Sequence, residues 1–307
     1  MPRSIVVPLD GSRFAEHALP VAASLARAAG ARLRLLIVHE PLTARVPAVD
    51  LPIAGGLDEL GRRAQAEAYL AALARELGVV GAGPAEYEVV DGPAAATIVT
   101  VVTKRAPDLI VMSTHGRGAL SRFWLGSVAD HLVRHVSTPI LLLRPQEGDS
   151  VPSSSFDVRD ILVPLDLSPV SEAILDPVKT FAHVARARIT LLTVVEPILG
   201  AGNAFPFPVA LEPELLEARR SEAQQYLSGV ADRLRAGGLE VATKVVVALG
   251  AAMTILGHAE KDHHDLVAMS THGASGVRRF LLGSVADKVI RGGTTPVLVY
   301  RPPDAVG

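Results

Sequence analysis

Residues Met112 to Arg134 read MSTHGRGALSRFWLGSVADHLVR, and residues Met269 to Arg291 read MSTHGASGVRRFLLGSVADKVIR. Fourteen of the 23 positions are identical, and they cluster at the two ends of the stretch while its middle has drifted. The duplication extends in both directions. SIVVPLDGS (Ser4 to Ser12) matches DILVPLDLS (Asp160 to Ser168), LRLLIVHEP (Leu33 to Pro41) matches ITLLTVVEP (Ile189 to Pro197), and STPILLLRP (Ser137 to Pro145) matches TTPVLVYRP (Thr294 to Pro302). The offset stays at 156 to 157 positions throughout, from Asp10 against Asp166 to Gly126 against Gly283. Two copies at so long a period are a tandem pair of domains and not a solenoid.

A length of 307 residues agrees with two domains at roughly 100–200 residues each. The expected division is a first domain over 1–145, a linker over 146–157 and a second domain over 158–303. The linker, QEGDSVPSSSFD from Gln146 to Asp157, is polar and rich in Ser.

Each copy alternates strand and helix patterns. In the first, IVVPL is a short β-branched run, and Phe14, Ala18, Leu19, Ala22, Leu25, Ala26 and Ala29 then recur at helical spacing. Ser168-Pro169 opens the matching helix of the second copy as an N-cap followed by proline at the first helical position. Pro20 and Pro177 lie deeper and are expected to bend these helices. RLRLLIVHE is a second strand, Leu57 to Leu77 a long helix, AEYEVVD a third strand and AAATIVTVVTKR the next helix. DLIVMS is apolar almost throughout and predicts a strand buried on both faces. SVADHLVRHV and PILLLRP complete the unit as a helix and a fifth strand. Such alternation predicts an α/β fold: an open, doubly wound parallel sheet with right-handed crossovers, in each of two tandem domains. Ligands in such folds sit beyond the carboxyl ends of strands where the strand order reverses. PLD and the repeated stretch both begin at strand ends; whether those two strands are neighbours is not readable from the sequence.

After the fourth strand come Ser113, Thr114, His115 and Gly116, then a loop, then Gly126-Ser127 opening a helix. A helix N-terminus presents unpaired N–H groups and the positive end of the helix dipole, and so attracts anions. Gly126 lets backbone approach an anion, and Ser127 can cap the helix or donate to phosphate. Asp10 can accept from a sugar hydroxyl or cap the first helix. Together these suit a phosphorylated nucleoside. Strand-to-helix connections also use Gly and Ser for plain turn and cap chemistry; the agreement between copies, whose flanking helices have diverged further, favours a site.

Net charge is −2 and aromatic residues are 4%, which speaks against a nucleic-acid partner. With no cysteine, disulfides, thiolate zinc sites and cysteine nucleophiles are ruled out. The apolar run at the N-terminus is too short for a signal peptide, and Arg, Gly or Asp interrupts every candidate membrane span. A cytoplasmic protein without a membrane partner is expected.

The pattern resembles the universal stress protein family in its tandem two-domain form. The family signature runs Gly, two residues, Gly, nine residues, then Gly with Ser or Thr. Gly116 with Gly126-Ser127, and Gly273 with Gly283-Ser284, fit its second part. Its first Gly is Ser here in both copies, Ser113 and Ser270. The resemblance implies the adenine nucleotide alpha hydrolase-like fold with sheet order 3-2-1-4-5, ATP as ligand with Mg²⁺ as its candidate companion, and a regulatory, stress-response role. It implies adenine near Pro8, Leu9, Asp10 and Val38, with ribose and phosphates along Met112, Ser113, His115, Gly116, Gly126, Ser127, Val128 and Ala129. The second site would use Pro164, Leu165, Asp166, Val194, Met269, Ser270, His272, Gly273, Gly283, Ser284, Val285 and Ala286. It also implies pairing of the two halves through the fifth strand, with a homodimer as a further expectation.

Two alternatives stay open: a slow ATPase, for which neither a P-loop nor a base is visible, and a nucleotide-free dimerisation scaffold. His115 and His272 read as ligand contacts or as loop structure sooner than as bases. Arg122 and Arg279 can reach phosphate or stay solvated, and Arg117 faces Ala274 in the other copy. KDHHD (Lys261 to Asp265) raises a metal reading, but adjacent histidines point apart in regular structure, and the stretch aligns with the turn KRAPD. The segments Leu42 to Gly56 and Ile198 to Glu212 are lids or variable loops.

Overall fold

The computed structural model describes residues 2–40, 56–79, 83, 85–114, 125–145, 157–197, 213–271 and 282–303. The chain divides into two compact units, Met1–Phe156 and Asp157–Gly307. All of the expected linker except Asp157 lies outside the described residues.

The first unit runs β1 (Ser4–Leu9), α1 (Arg13–Glu16), α2 (Ala18–Ala29), β2 (Arg32–His39), α3 (Gly56–Val79), β3 (Glu86–Asp91), α4 (Ala94–Arg105), β4 (Leu109–Ser113), α5 (Ser127–His135) and β5 (Ile140–Leu143). Its strands lie in the order β3-β2-β1-β4-β5, all parallel. The second unit repeats it: β6 (Asp160–Pro164), α6 (Pro169–Glu172), α7 (Leu175–Ala185), β7 (Arg188–Val195), α8 (Pro213–Ala236), β8 (Val241–Val247), α9 (Ala251–Lys261), β9 (Leu266–Ser270), α10 (Ser284–Gly292) and β10 (Val297–Tyr300). Its parallel order is β10-β9-β6-β7-β8. Both are doubly wound sheets.

In each unit the central strands are apolar because helices cover both faces. Every residue of β4 and of β9 is buried. Ile5, Leu35, Leu36 and Ile110 in one unit, and Ile161, Leu162, Leu191 and Leu266 in the other, are at most 1% exposed. Each such side chain contributes about 1.5–3 kcal/mol on burial.

The prolines act as expected, with a sharper result. The helix after β1 is interrupted at His17, and α2 restarts at Ala18, so Pro20 falls in its first turn. Proline has no N–H to offer the carbonyl four residues earlier, here Glu16, and its ring crowds that carbonyl. Pro177 stands four residues after Ala173, where α6 stops before α7.

One bridge holds the edge layer of both units with its charges exchanged. In the first unit Arg105, ending α4, reaches Glu88 on β3 at 2.5 Å. In the second, Lys244 on β8 reaches Asp262, just after α9, at 2.8 Å. His258 joins Asp262 at 3.0 Å. Among the described residues, no helix is long and apolar enough to cross a membrane.

Candidate functional site

β1 and β4 are hydrogen-bonded neighbours, with Ile5 beside Leu109 and Val6 beside Ile110. From Val6 and Ile110, each strand runs three residues further, to Leu9 and Ser113, so the two ends lie level. From β1 the chain winds outward through β2 and β3, then crosses back to β4 and β5. The reversal of strand order therefore falls between β1 and β4, where such sheets bind ligands. β6 and β9 repeat this, with Ile161 beside Leu266 and Leu162 beside Val267.

The turn after β1 is built by Asp10 and Ser12. Asp10 Oδ1 accepts from the backbone N–H of Ser12 at 2.9 Å and from its hydroxyl at 2.6 Å. The same Ser12 Oγ accepts from the N–H of Ala15 and caps α1. Asp166, Ser168 and Ser171 repeat the arrangement. Asp10 thus shapes the turn through Ser12, whose hydroxyl caps the helix. Gly11 sits at φ 78° and Leu167, its counterpart, at φ 66°. Glycine adopts this left-handed conformation freely, whereas leucine does so under strain.

At the end of β4, Thr114 donates its N–H to Leu143 and accepts at its carbonyl the N–H of Gly126, at 2.7 Å. A Cβ on Gly126 would lie 2.8 Å from that carbonyl oxygen, so any larger residue would push α5 off the strand end. Gly126 is needed here for the helix to close on the strand, whatever approaches from solvent. Gly283 donates to Thr271 at the same 2.7 Å. Both glycines are N-caps without a side-chain oxygen to offer. The first N–H groups of α5, from Ser127, Val128 and Ala129, therefore receive no capping bond from the N-cap residue itself. Asp130 in the first turn is drawn back by Arg134 at 2.8 Å, as Asp287 is by Arg291 at 2.7 Å.

These contacts gather Pro8, Leu9, Asp10, Met112, Ser113, Gly126, Ser127, Val128 and Ala129 at one edge of the first unit. Val38 lies on β2, one step past the Leu9–Ile37 pair. Leu9, Met112, Ser113 and Ala129 are buried, while Ser127 is exposed and Asp10, Val38 and Val128 are half-buried. In the second unit Leu165, Met269, Ser270 and Ala286 are buried, Asp166 and Ser284 exposed, and Pro164, Val194, Gly283 and Val285 half-buried. His115, Gly116, His272, Gly273, Arg117, Arg122 and Arg279 lie outside the described residues, as do the segments after β2 and β7, apart from Gly56.

Three features of the site escape sequence reasoning. Ser113 Oγ donates to the carbonyl of Phe14 at 2.5 Å, and Ser270 Oγ to that of Ser171 at 3.3 Å. Glu40, just past β2, accepts the N–H of Ala94 at 2.9 Å and so caps α4, whose N-cap, Pro93, offers no side-chain oxygen. Glu196 likewise accepts from Gly250 and Ala251 at the start of α9. The acid two residues after Val38 and Val194 was the only signal available. Third, the Tyr69 hydroxyl on α3 donates to Glu16 on α1 at 2.8 Å. Burial, and then that carboxylate, push its phenol well above the ordinary range; Tyr226, beside Glu172, is raised in the same way.

In KDHHD, Asp262 is held by Lys244 and His258 and Asp265 accepts the N–H groups of Arg159 and Asp160 at the start of β6, as Asp108 does for Arg3 and Ser4. Among the described residues no three His, Cys, Asp or Glu side chains gather as a metal set.

The model of the universal stress protein family matches residues 1–144 and again 157–301. The chain belongs to the universal stress protein family. Universal stress protein Rv2005c of Mycobacterium tuberculosis is 29% identical over 305 residues, covering 97% of this chain and 96% of that protein. Universal stress protein MJ0531 of Methanocaldococcus jannaschii is 32% identical over 151 residues, 47% of this chain and 83% of its own. Among solved structures, a universal stress protein from Archaeoglobus fulgidus shares the fold over 98% of this chain and 97% of its own, with a TM-score of 0.67 at 21% identity.

Proposed function

We propose that each unit of this universal stress protein binds an adenine nucleotide, with ATP as the expected form, and that the bound nucleotide serves a regulatory, stress-response role. One observation carries the reading. A helix N-terminus whose N-cap is glycine, with no side-chain oxygen of its own, is fixed against the end of β4, beside the end of β1, and the second unit repeats this with the same 2.7 Å bond. Such a terminus suits phosphate oxygens, which need donors. Buried Leu9, Met112 and Ala129 suit the apolar face of a base and ribose, and Val38 offers backbone at the rim. Pro8 belongs to the same edge. His115 and Gly116, with His272 and Gly273, belong to the proposed site by sequence position.

Mg²⁺, where it accompanies ATP, would rest mainly on phosphate oxygens and water, as this small cation commonly does, with the exposed Ser127 or Ser284 hydroxyl as the protein's contribution. The two halves pair through β5 and β10 in this reading, each being the last strand of its own unit's order, and two chains associate further. The absence of cysteine agrees with a reducing, cytoplasmic setting.

Calorimetric titration of the nucleotide-stripped chain with Mg·ATP and Mg·GTP tests this directly. Saturable binding of ATP in preference to GTP is expected. Absence of ATP binding would leave the pairing scaffold, and steady phosphate release would make the protein a slow ATPase.

A further inference from the structure

Helix α1 is only four residues long, too short to hold itself, since a single turn fixes several dihedrals for one hydrogen bond. Three devices hold it from outside. Ser12, set by Asp10, caps its start. Tyr69 grips Glu16 near its end. Ser113 reaches across from β4 and donates to the carbonyl of Phe14, 99 residues away. The second unit repeats the first and third, with Ser168 capping α6 and Ser270 donating to Ser171 across the same 99 residues, and holds Glu172 by Arg233 at 2.5 Å instead. Ser113 and Ser270 are both buried side chains, 7% and 6% exposed.

A serine hydroxyl carries one proton. Once that proton is donated to a carbonyl of α1 or α6, none remains for phosphate, whose oxygens only accept. We propose that Ser113 and Ser270 are positioning residues and not phosphate ligands: each latches the end of β4 or β9 to the short helix after β1 or β6, and so fixes one wall of the crevice between those strands. This rests on the nucleotide reading above and deepens it. At this position both units depart from the glycine of the family signature, and the departure adds a bond across the site.

The test uses the full chain with both serines changed together, to Ala, to Gly and to Thr. Amide exchange is followed at residues 13–18 and 169–175, and affinity is measured for Mg·ATP and for adenosine. Loss of one buried neutral hydrogen bond should speed exchange in α1 and α6 about fivefold. The same loss should weaken ATP and adenosine by similar factors, with Thr, which keeps the donor, recovering both. Weakening confined to ATP would make the serines phosphate ligands and overturn the proposal. Tighter binding in the Gly chain would make them obstructions and overturn it equally. Should the unaltered chain bind neither compound, the nucleotide reading falls, and the latch is then judged on exchange alone: unchanged exchange in the Ala chain removes it, and faster exchange upholds it.

Discussion

The N–H of Gly126 and the carbonyl of Thr114 meet at 2.7 Å, and the same carbonyl would stand 2.8 Å from a Cβ on Gly126. Helix α5 is thereby seated on the end of β4 with no room for a side chain between. Gly126→Ala must displace the helix start, and overpacking of this kind costs about 1–3 kcal/mol. Scanning calorimetry should show the first unit melting lower, by about 2–4 °C for each kcal/mol, with nucleotide affinity falling as well. An unchanged transition would mean that α5 can move off the strand freely.

Glu40 and Glu196 close the exposed starts of α4 and α9 from the neighbouring strand ends. A carboxylate there caps backbone donors and faces the positive end of the helix dipole. Glu40→Ala and Glu196→Ala should each lower stability by about 0.5–2 kcal/mol in urea unfolding. The Gln variants should lose less, since an amide oxygen still accepts. Equal loss in Ala and Gln would assign the whole effect to charge.

Gly11 and Leu167 hold the same left-handed turn, one freely and one under strain. Leucine keeps the conformation because the Asp166–Ser168 bonds, at 2.5 Å and 3.1 Å, impose it. Gly11→Leu should therefore fold with the turn intact and lose about 1–2 kcal/mol. Leu167→Gly should change stability little, as relief of strain is offset by the chain entropy of glycine. Destabilisation by Leu167→Gly well beyond 1 kcal/mol would show that the leucine side chain has a packing role there.

Asp262 is held at about 2 by its hydrogen bond to Lys244 first and by His258 second. A depressed carboxylate contributes stability that is complete above its unfolded value, about 3.9, and is lost as pH falls through about 2. Asp262→Asn should therefore cost most near neutral pH, and the difference from the unaltered chain should close below pH 4. The side chain is 33% exposed, so the neutral-pH cost stays within about 1 kcal/mol. A cost that did not vary from pH 7 to pH 3 would remove the charge from the account.

The layout of strands and helices was legible because it follows local period and punctuation: the apolar run of β4, the Ser168-Pro169 cap, the prolines that stop α1 and α6. The duplication made each reading twice. What stayed hidden is what joins residues far apart in sequence. No local pattern shows that β1 lies beside β4, that Ser113 spends its proton on Phe14 or that Glu40 caps α4. The exchange of Glu88–Arg105 for Lys244–Asp262 was unreadable for the same reason, since neither pair is a pair until β3 and α4, or β8 and α9, are packed together. Glycine at 126 was visible as a need for close approach, and the structure supplies a nearer object than a ligand: the carbonyl of Thr114.

The most direct test of the central claim is to purify the chain without added nucleotide, denature it, and identify and count the released small molecules by chromatography and mass spectrometry. Two repeated sites predict an adenine nucleotide, chiefly ATP, approaching two per chain, falling by half when Gly126 or Gly283 alone is changed to Ala. No released nucleotide, with none taken up on adding ATP and Mg²⁺, would contradict the account.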